Sequence, residues 1–495
     1  MLKIKELFEK FRKGVKAGVA AVTESNALTD NRIVYLINQF MASGKRELML
    51  EGERYYRVDN DIKQRKITRK IRGHEEEENW KANNKLAHAK YKTQVDEKIA
   101  YLLTKPVTYK ADSGDSSSGY VDKVKNLLGK HFQYQLTQLG YESSNKGIGW
   151  LQAYVDEQGE FRTMVIPSEQ CIPYWKDKSH TELDTMIRVY KNSVWQYNQE
   201  KEVTIVEVWT AEQVVYYRLE GQMLVRDYDR NMDAGGPVAH YKTGENWQTW
   251  GKVPFIPFKN NQIEMPDIKF VKSLIDGYDL GRSEAANYVE EVKNLIFVLK
   301  GYGGESLSEF MRTINEDRVV PIEDPEDGGV DTITPQMDIT ALREHYEQLN
   351  RDIVESGQSV NKDLDKFGSA PSGVALKFMY SGLDLKCNLM EAEYKRGFEM
   401  LLYFVDQYLR LTGQGDYEKI EVELVFNRDM AVNETEQIQN CTNSKNVISD
   451  KTIIAHHPYV TDLEEEMKAL KEQKEAEGPA WDEAPPVKED GNVEE

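Results

Sequence analysis

Two adjacent histidines and three cysteines are the side chains best suited to binding a metal ion or forming a disulfide. His456 and His457 carry imidazole nitrogens, but neighbouring side chains point in different directions on a helix or a strand. Cys171, Cys387 and Cys441 lie far apart and form no CxxC pair or Cys/His cluster. We therefore predict no metal site and three buried free thiols, in a disulfide-free fold that fits a reducing compartment.

Motifs that would carry enzymatic chemistry are missing from the sequence. It contains no GxxxxGKS or GxxxxGKT loop for nucleotide phosphates, and no GxGxxG, HExxH or GxSxG. The acidic runs at 75–78 and 464–466 fit solvated helix faces better than cation sites. The sequence therefore predicts a protein that is not an enzyme, with no catalytic residues and no cofactor.

The size and charge of the chain set further limits. Its 495 residues predict roughly two to four structural units. The net charge is −20, so bulk attraction to nucleic acid or to an anionic membrane is not expected. The longest apolar runs, 295–299 and 400–405, are far shorter than the ~18 residues that cross a bilayer. At the N-terminus, residues 1–26 mix basic and apolar residues, which indicates an amphipathic helical arm.

Helical periodicity predominates up to about residue 111, and strand patterns follow it. Asp30 is the predicted cap of the first helix. Apolar runs at 151–155 and 161–166 flank a glycine-containing turn, which predicts a hairpin. The runs 203–209 and 214–219 predict a second antiparallel pair. The middle third of the chain is therefore expected to be rich in β-structure.

The longest helical patterns lie between residues 267 and 412. A helix over 267–292 and another over 338–356 enclose a predicted small α/β insert, and 358–371 is predicted to be a loop. The third pattern, 372–412, would be a helix of ~60 Å at 1.5 Å per residue. Shorter helices are predicted within 433–474, followed by an acidic tail with too few apolar residues to fold.

The apolar stripes of these long helices need a partner surface. A narrow stripe can be buried only against another helix of the same chain or against a neighbouring copy. An intrachain helical bundle would satisfy the pattern equally well. The sequence leaves both arrangements open.

Several short strings, taken in order, resemble the portal proteins of tailed bacteriophages, in the variety found in long-tailed phages of Gram-positive hosts. Each string alone is weak, but their joint order covers about 31–433. The strings are Tyr55-Tyr-Arg57 with Asp61-Ile62, Asn83-Asn-Lys85 with Val95-Asp96, Tyr101-Leu-Leu-Thr-Lys-Pro-Val107, Val155-Asp-Glu-Gln-Gly159, Gly251-Lys-Val-Pro254 with Phe258-Lys-Asn-Asn261, Ser273-Leu-Ile-Asp-Gly-Tyr-Asp279 and Ser372-Gly-Val-Ala-Leu-Lys377.

The resemblance implies a mainly helical α+β fold, with long helices, a β-rich wing, a stem, a clip and a crown. The implied regions are an N-terminal arm at 1–26, a wing at 27–266, stem helices at 267–293 and 337–357 around a clip at 294–336, a tunnel loop at 358–371, a long wing helix and strand at 372–428, a crown at 429–474 and a disordered acidic tail at 475–495.

The resemblance also implies a function. Such subunits form a dodecameric ring at one capsid vertex, with a channel through which double-stranded DNA is packaged and ejected. The implied partners are the terminase packaging motor, the head–tail connector, and the major capsid and scaffolding proteins, with no membrane. The implied location is the virion, and the host cytoplasm during assembly. A capsid-interior scaffold and a packaging-associated nuclease are the alternatives.

Within the implied tunnel loop, four polar residues are the candidates for facing DNA in the channel: Asn361, Lys362, Asp363 and Lys366. Twelve copies of this chain would carry about −240 charges, which repel a duplex that bears one charge per ~1.7 Å. Isolated lysines on a loop would then give weak contacts that break easily as DNA moves.

Overall fold

The protein is described by a computed structural model. The described residues are 28–71, 74–77, 81–111, 115–196, 199–231, 236–243, 246–291, 296–300, 329–333, 339–360, 373–428, 434–460 and 463–477. By its internal contacts the chain divides into two units. One contains Met1–Val360 with Gly382–Asp429, and the other contains Asn361–Ser381 with Met430–Glu495.

The helices of the described chain range from one and a half turns to about eleven. They are α1 (Asp30–Met41), α2 (Gly44–Tyr56), α3 (Lys90–Leu103), α4 (Asp115–Lys146), α5 (Ile268–Glu291), α6 (Ile339–Ser356), α7 (Gly373–Leu411), α8 (Glu434–Asn443), α9 (Asp450–Ala455) and α10 (Leu463–Glu477). The predicted helices at 267–292, 338–356 and 372–412 are thus confirmed to within one or two residues.

The strands form several small antiparallel sheets. Their bounds are β1 (Thr68–Ile71), β2 (His74–Glu77), β3 (Thr108–Ala111), β4 (Ile148–Val155), β5 (Phe161–Ile166), β6 (Cys171–Trp175), β7 (Leu183–Gln196), β8 (Gln199–Trp209), β9 (Val214–Glu220), β10 (Met223–Arg226), β11 (Tyr241–Thr243), β12 (Asn246–Gln248), β13 (Phe255–Lys259), β14 (Ile296–Lys300), β15 (Gly329–Ile333) and β16 (Val422–Val425).

Two of these sheets confirm the strand pairs expected from the sequence. Strands β6 to β10 form a five-stranded meander in which β8 pairs with β9. Strand β4 lies between β5 and β13, with Trp150 opposite Ile166 and Val155 opposite Phe161. The turn of the β4–β5 hairpin is fixed by Asp156, whose Oδ1 accepts hydrogen bonds from two backbone N–H groups.

The core of the larger unit is built on the buried faces of the helices. From Leu383 to Leu409, α7 buries a stripe at steps of three and four residues, as the sequence predicted. A Cβ at Gly397 would lie 2.8 Å from the Pro257 carbonyl oxygen, so this glycine lets β13 pack directly on the helix. Helices α1 and α2 bury Ile33, Ile37 and Met49 against the sheets.

Two local expectations were wrong. Thr29, not Asp30, is the N-cap of α1, and its side chain accepts a hydrogen bond from the Arg32 N–H. The acidic run that begins at Glu75 lies in strand β2 rather than on a helix, since β1 supplies an antiparallel partner. Charge alone carries no information about backbone period, so an acidic run does not distinguish a strand from a helix.

The shorter helices predicted within 433–474 are present, and a break separates α9 from α10. His456 and His457 follow α9 and bond different groups, a Thr452 carbonyl oxygen and the Tyr459 N–H. The thiols of Cys171, Cys387 and Cys441 are free and buried, which confirms their predicted environment. Within the described ranges, no three His, Cys, Asp or Glu side chains are placed to share a metal ion, and no helix is both long and apolar enough to span a membrane.

Candidate functional site

The four residues predicted to face DNA, Asn361, Lys362, Asp363 and Lys366, lie outside the described residues. The described chain reaches Val360 from α6. The structure therefore defines how the chain is held just before this segment. We call the residues that hold it the anchor.

Helix α3 supplies one side of the anchor through polar side chains one turn apart. Gln94 Nε2 donates to the Ile353 carbonyl oxygen at 2.9 Å, near the end of α6. Glu97 Oε2 accepts from Ser359 Oγ at 3.0 Å and from the Val360 N–H at 3.3 Å. The carboxylate thus binds both a side chain and the backbone where the described chain ends.

The turn that ends α6 allows close contact with α3. A Cβ on Gly357 would lie 2.4 Å from the amide nitrogen and oxygen of Gln94, so only glycine fits without a shift. The Gly357 carbonyl oxygen accepts a hydrogen bond from Lys386 Nζ of α7 at 3.0 Å. The next residue, Gln358, has a positive φ of 49°. The last helical turn is therefore fixed from two directions.

A buried group of charges connects three helices beneath this turn. Asp267, at the start of α5, lies 2.5 Å from Lys98 Nζ of α3 and 3.1 Å from Lys386 Nζ of α7. Its other oxygen accepts from Asn260 Nδ2 at 2.8 Å. Asn260 also accepts from Lys98 at 2.7 Å. One carboxylate thus holds α3, α5 and α7 in a fixed relation.

Burial alone would raise the pKa of Asp267, but the Lys386 and Lys98 ammonium groups outweigh it and lower the pKa to about 2. For Lys98, burial is the larger effect and lowers the pKa to about 8, although Asp267 favours the charged form. The carboxylate is therefore ionised at neutral pH. Separating these groups would leave a buried charge without a partner, which costs several kcal/mol. The group therefore holds the three helices firmly together.

Further along α5, a row of buried polar residues replaces the apolar stripe. Asp279, Ser283 and Asn287 succeed one another at steps of four residues. Their side-chain oxygens accept from the backbone N–H groups of His88, Leu86 and Asn84 at 3.1, 3.0 and 2.6 Å. We call 84–88 the strap and the three α5 residues the ladder, and this contact ties the segment before α3 to the middle of α5.

Spacing explains why the strap and the ladder fit. Residues four apart on a helix are ~6.0 Å apart along the axis, which is close to the ~6.6 Å that separates alternate residues of a fully extended chain. Asp279 makes the most hydrogen bonds of the three ladder residues, because its carboxylate also accepts from His88 Nδ1 at 2.7 Å and from Asn60 Nδ2 at 2.5 Å. Burial raises the pKa of Asp279 even though these donors favour its ionised form.

Comparison with known proteins identifies the family. The family model described as "Phage portal protein, SPP1 Gp6-like" matches residues 44–480. The chain belongs to this family of phage portal proteins. Its match includes the C-terminal helices, which lay beyond the range of the resemblance in the sequence.

Two portal proteins show how far the similarity extends. The portal protein of Bacillus phage SPP1 is 31% identical over 443 residues, which span 88% of this chain and 86% of that protein. The portal protein of Clostridium phage phiCD119 is 31% identical over 445 residues, spanning 87% of this chain and 94% of that protein. The resemblance seen in the sequence and the expected α+β fold are thereby confirmed.

Family membership settles the class of function. This portal protein is a structural protein of the virion that takes part in DNA packaging, and it is not an enzyme. The side chains of the anchor and the ladder accordingly bond backbone and side-chain groups of their own chain. The sequence pattern does not reveal the anchor or the buried Asp267 group, although one residue of each, Gln94 and Lys98, interrupts the otherwise apolar pattern around Val95, Ile99 and Leu102.

Proposed function

We propose that twelve copies of this chain form a ring at one capsid vertex, with a central channel for double-stranded DNA during packaging and ejection. In this assignment 27–266 and 372–428 form the wing, and 267–293 and 337–357 form the stem. The clip is 294–336 and the crown is 429–474. The tunnel loop, 358–371, would narrow the channel, so that Asn361, Lys362, Asp363 and Lys366 face DNA.

The observation that carries this proposal is the anchor. Glu97 holds Ser359 and Val360, and Lys386 holds the Gly357 carbonyl oxygen, so the chain enters 361–372 from a fixed base. A loop that touches moving DNA has to transmit force to a rigid support. The buried Asp267 group supplies that support by connecting α3, α5 and α7.

The charge balance supports a conduit rather than a tight DNA-binding protein. With −20 per copy, a ring repels the duplex overall, and strong phosphate contacts are not expected. Lys362 and Lys366 would add local, easily broken contacts. Passage of DNA requires that each contact be released at every step.

The partners follow from the same assignment. The clip at 294–336 would bind the terminase packaging motor during filling and the head–tail connector afterwards. The outer wing would contact the major capsid protein and, during assembly, the scaffolding protein. Electron microscopy of the purified protein tests the ring itself, since particles without a central hole would contradict it.

The role of the two lysines is tested by reversing their charge. The double variant Lys362→Glu, Lys366→Glu should form normal rings but package less DNA, because contacts with phosphate become repulsive. The matched control is Lys362→Arg, Lys366→Arg, which keeps the charge and should package normally. Normal packaging by the glutamate variant would show that these lysines are dispensable and would leave the proposed ring untouched.

A further inference from the structure

Strands β7 and β8 extend beyond the other strands of the five-stranded meander. Strand β6 pairs with β7 only as far as Arg188, and β9 pairs with β8 only from Thr204. Past these points, 189–196 has β8 as its only strand partner among the described residues, and 199–203 has only β7. A two-stranded ribbon is marginally stable at best in water, because each strand keeps an open edge. The ribbon is therefore a place where a further strand can add.

The two open edges of this ribbon differ in charge. Of the five residues at 199–203, three are charged, and charged side chains keep an edge from pairing. Along 189–196 the single charge is that of Lys191. That stretch contains no proline, and its register with β8 continues without a bulge from Met186 to Gln196. The open edge of β7 therefore lacks most of the features by which proteins prevent strand pairing.

Two apolar side chains lie exposed near the end of this edge. Val194 is 43% exposed and Trp195 is 71% exposed. Neighbouring residues of a strand point to opposite faces, so one of them lies on each face of the ribbon. Their partners on β8 are charged, with Lys201 opposite Val194 and Glu200 opposite Trp195. A strand added on the outer side of β7 would place an apolar neighbour directly beside each of them.

We infer that the open edge of β7 takes up an extended segment of the major capsid protein as a third strand, which fixes the ring in the shell. This inference rests on the proposed function, in which the outer wing contacts that protein. Open backbone N–H and C=O groups select an extended strand, and Val194 and Trp195 select two consecutive apolar residues within it. A cover that lasts as long as the particle fits the shell protein better than the scaffolding protein, which acts only during assembly.

A second copy of this chain fits the open edge less well. Pairing between two β7 edges is isologous, and such a contact closes with two subunits rather than twelve. Pairing between the β7 edge of one copy and the β8 edge of the next would bring Val194 and Trp195 against the three charged residues of 199–203. Neither arrangement gives the two apolar side chains an apolar neighbour around a ring of twelve copies.

The double variant Val194→Glu, Trp195→Lys tests the edge. Each new charge lies opposite the reverse charge on β8, so the ribbon should persist and rings should form in wild-type yield. In cells that also express the phage's own major capsid and scaffolding proteins, its rings should enter capsids at least tenfold less often, because charge blocks the added strand. Electron microscopy of purified capsids counts the rings. Wild-type frequency for this variant would overturn the inference.

The matched control is Met223→Lys on β10, the strand at the opposite end of the meander. Met223 is 68% exposed, close to the exposure of Trp195, so the control also places a charge at an exposed apolar position of an edge strand. Its rings should enter capsids at the wild-type frequency. A loss as large as that of the double variant would mean that any added charge on the sheet is harmful, which would overturn the role of the β7 edge.

Amide exchange distinguishes strand pairing from side-chain contact. In capsids that have lost their scaffolding protein, every second amide within 191–196 should exchange at least tenfold more slowly than in free rings, because alternate N–H groups of β7 point away from β8. Slow exchange only while scaffolding protein is present would assign the edge to that protein, and slow exchange already in free rings would assign it to a second copy. Either result overturns the inference, whereas absence of rings from the wild type would contradict the proposed function.

Discussion

The carboxylate of Asp267 lies 2.5 Å from the ammonium group of Lys98, and both side chains are buried. The two residues come from helices that are distant in sequence. Lys386 completes the group from a third helix at 3.1 Å. Since α3 and α7 both supply residues to the anchor, this single group helps to set the geometry from which the chain enters 361–372. Its contribution to stability can be measured residue by residue.

Removing the shared carboxylate should cost more than removing one of its two cations. Asp267→Asn leaves Lys98 and Lys386 buried without a counter-charge and should lower the free energy of unfolding by about 3–5 kcal/mol. Lys98→Met leaves Asp267 paired with Lys386 and should cost less than half as much. The measurement is urea unfolding, with Lys191→Met at the exposed Lys191–Glu202 pair as the control. Equal effects of Asp267→Asn and the control would contradict the cluster.

Asp406 predicts an unusual pH dependence. Burial raises the pKa of Asp406 to about 6, with further raising by Asp416 and Glu418, while the Tyr120 hydroxyl opposes the shift by donating to it. The folded state therefore holds the proton more tightly than the unfolded state. This stabilisation is complete below about pH 4 and is lost as the pH rises towards 6.

The neutral variant Asp406→Asn should remove that dependence. At pH 8 it should be more stable than the wild type by about 1 kcal/mol after allowance for solvent screening, and at pH 4 it should show no gain. The amide oxygen can still accept from Tyr120. Unfolding midpoints across this pH range give the result, with the exposed Asp122→Asn as the control. A gain at pH 4 as large as at pH 8 would argue against titration of Asp406.

The ladder predicts graded loosening of the strap. Ser283→Ala removes the acceptor for the Leu86 N–H, and amide exchange at Leu86 should rise about tenfold, as expected for one lost hydrogen bond. Asp279→Ala removes acceptors for both His88 and Asn60 and should expose 84–88 more strongly. Ser273→Ala, at an exposed position of the same helix, should change nothing in the strap. If the rate of amide exchange at 84–88 were the same in all three variants, the proposed role of the ladder in holding the strap would be excluded.

The sequence predicted the long helices well, but it did not predict the buried contacts that connect them. Helices α5, α6 and α7 were found because an apolar period of 3.6 residues is a local signal. The Asp267 group was missed because Lys98 is separated from Asp267 by 169 residues, and no local pattern reports such a pair. The sequence pattern indicates Asp267 only as the start of a helix. The four predicted tunnel-loop residues lie outside the described residues and remain predictions.

The hydrogen bonds between the strap and the ladder depend on two spacings that are nearly equal, that of every fourth residue on a helix and that of alternate residues along the strap. In a fully extended chain each successive rung would be displaced by ~0.6 Å relative to the helix, a difference small enough to allow three consecutive hydrogen bonds. Helix α3 begins at Lys90, two residues after the last rung of the strap.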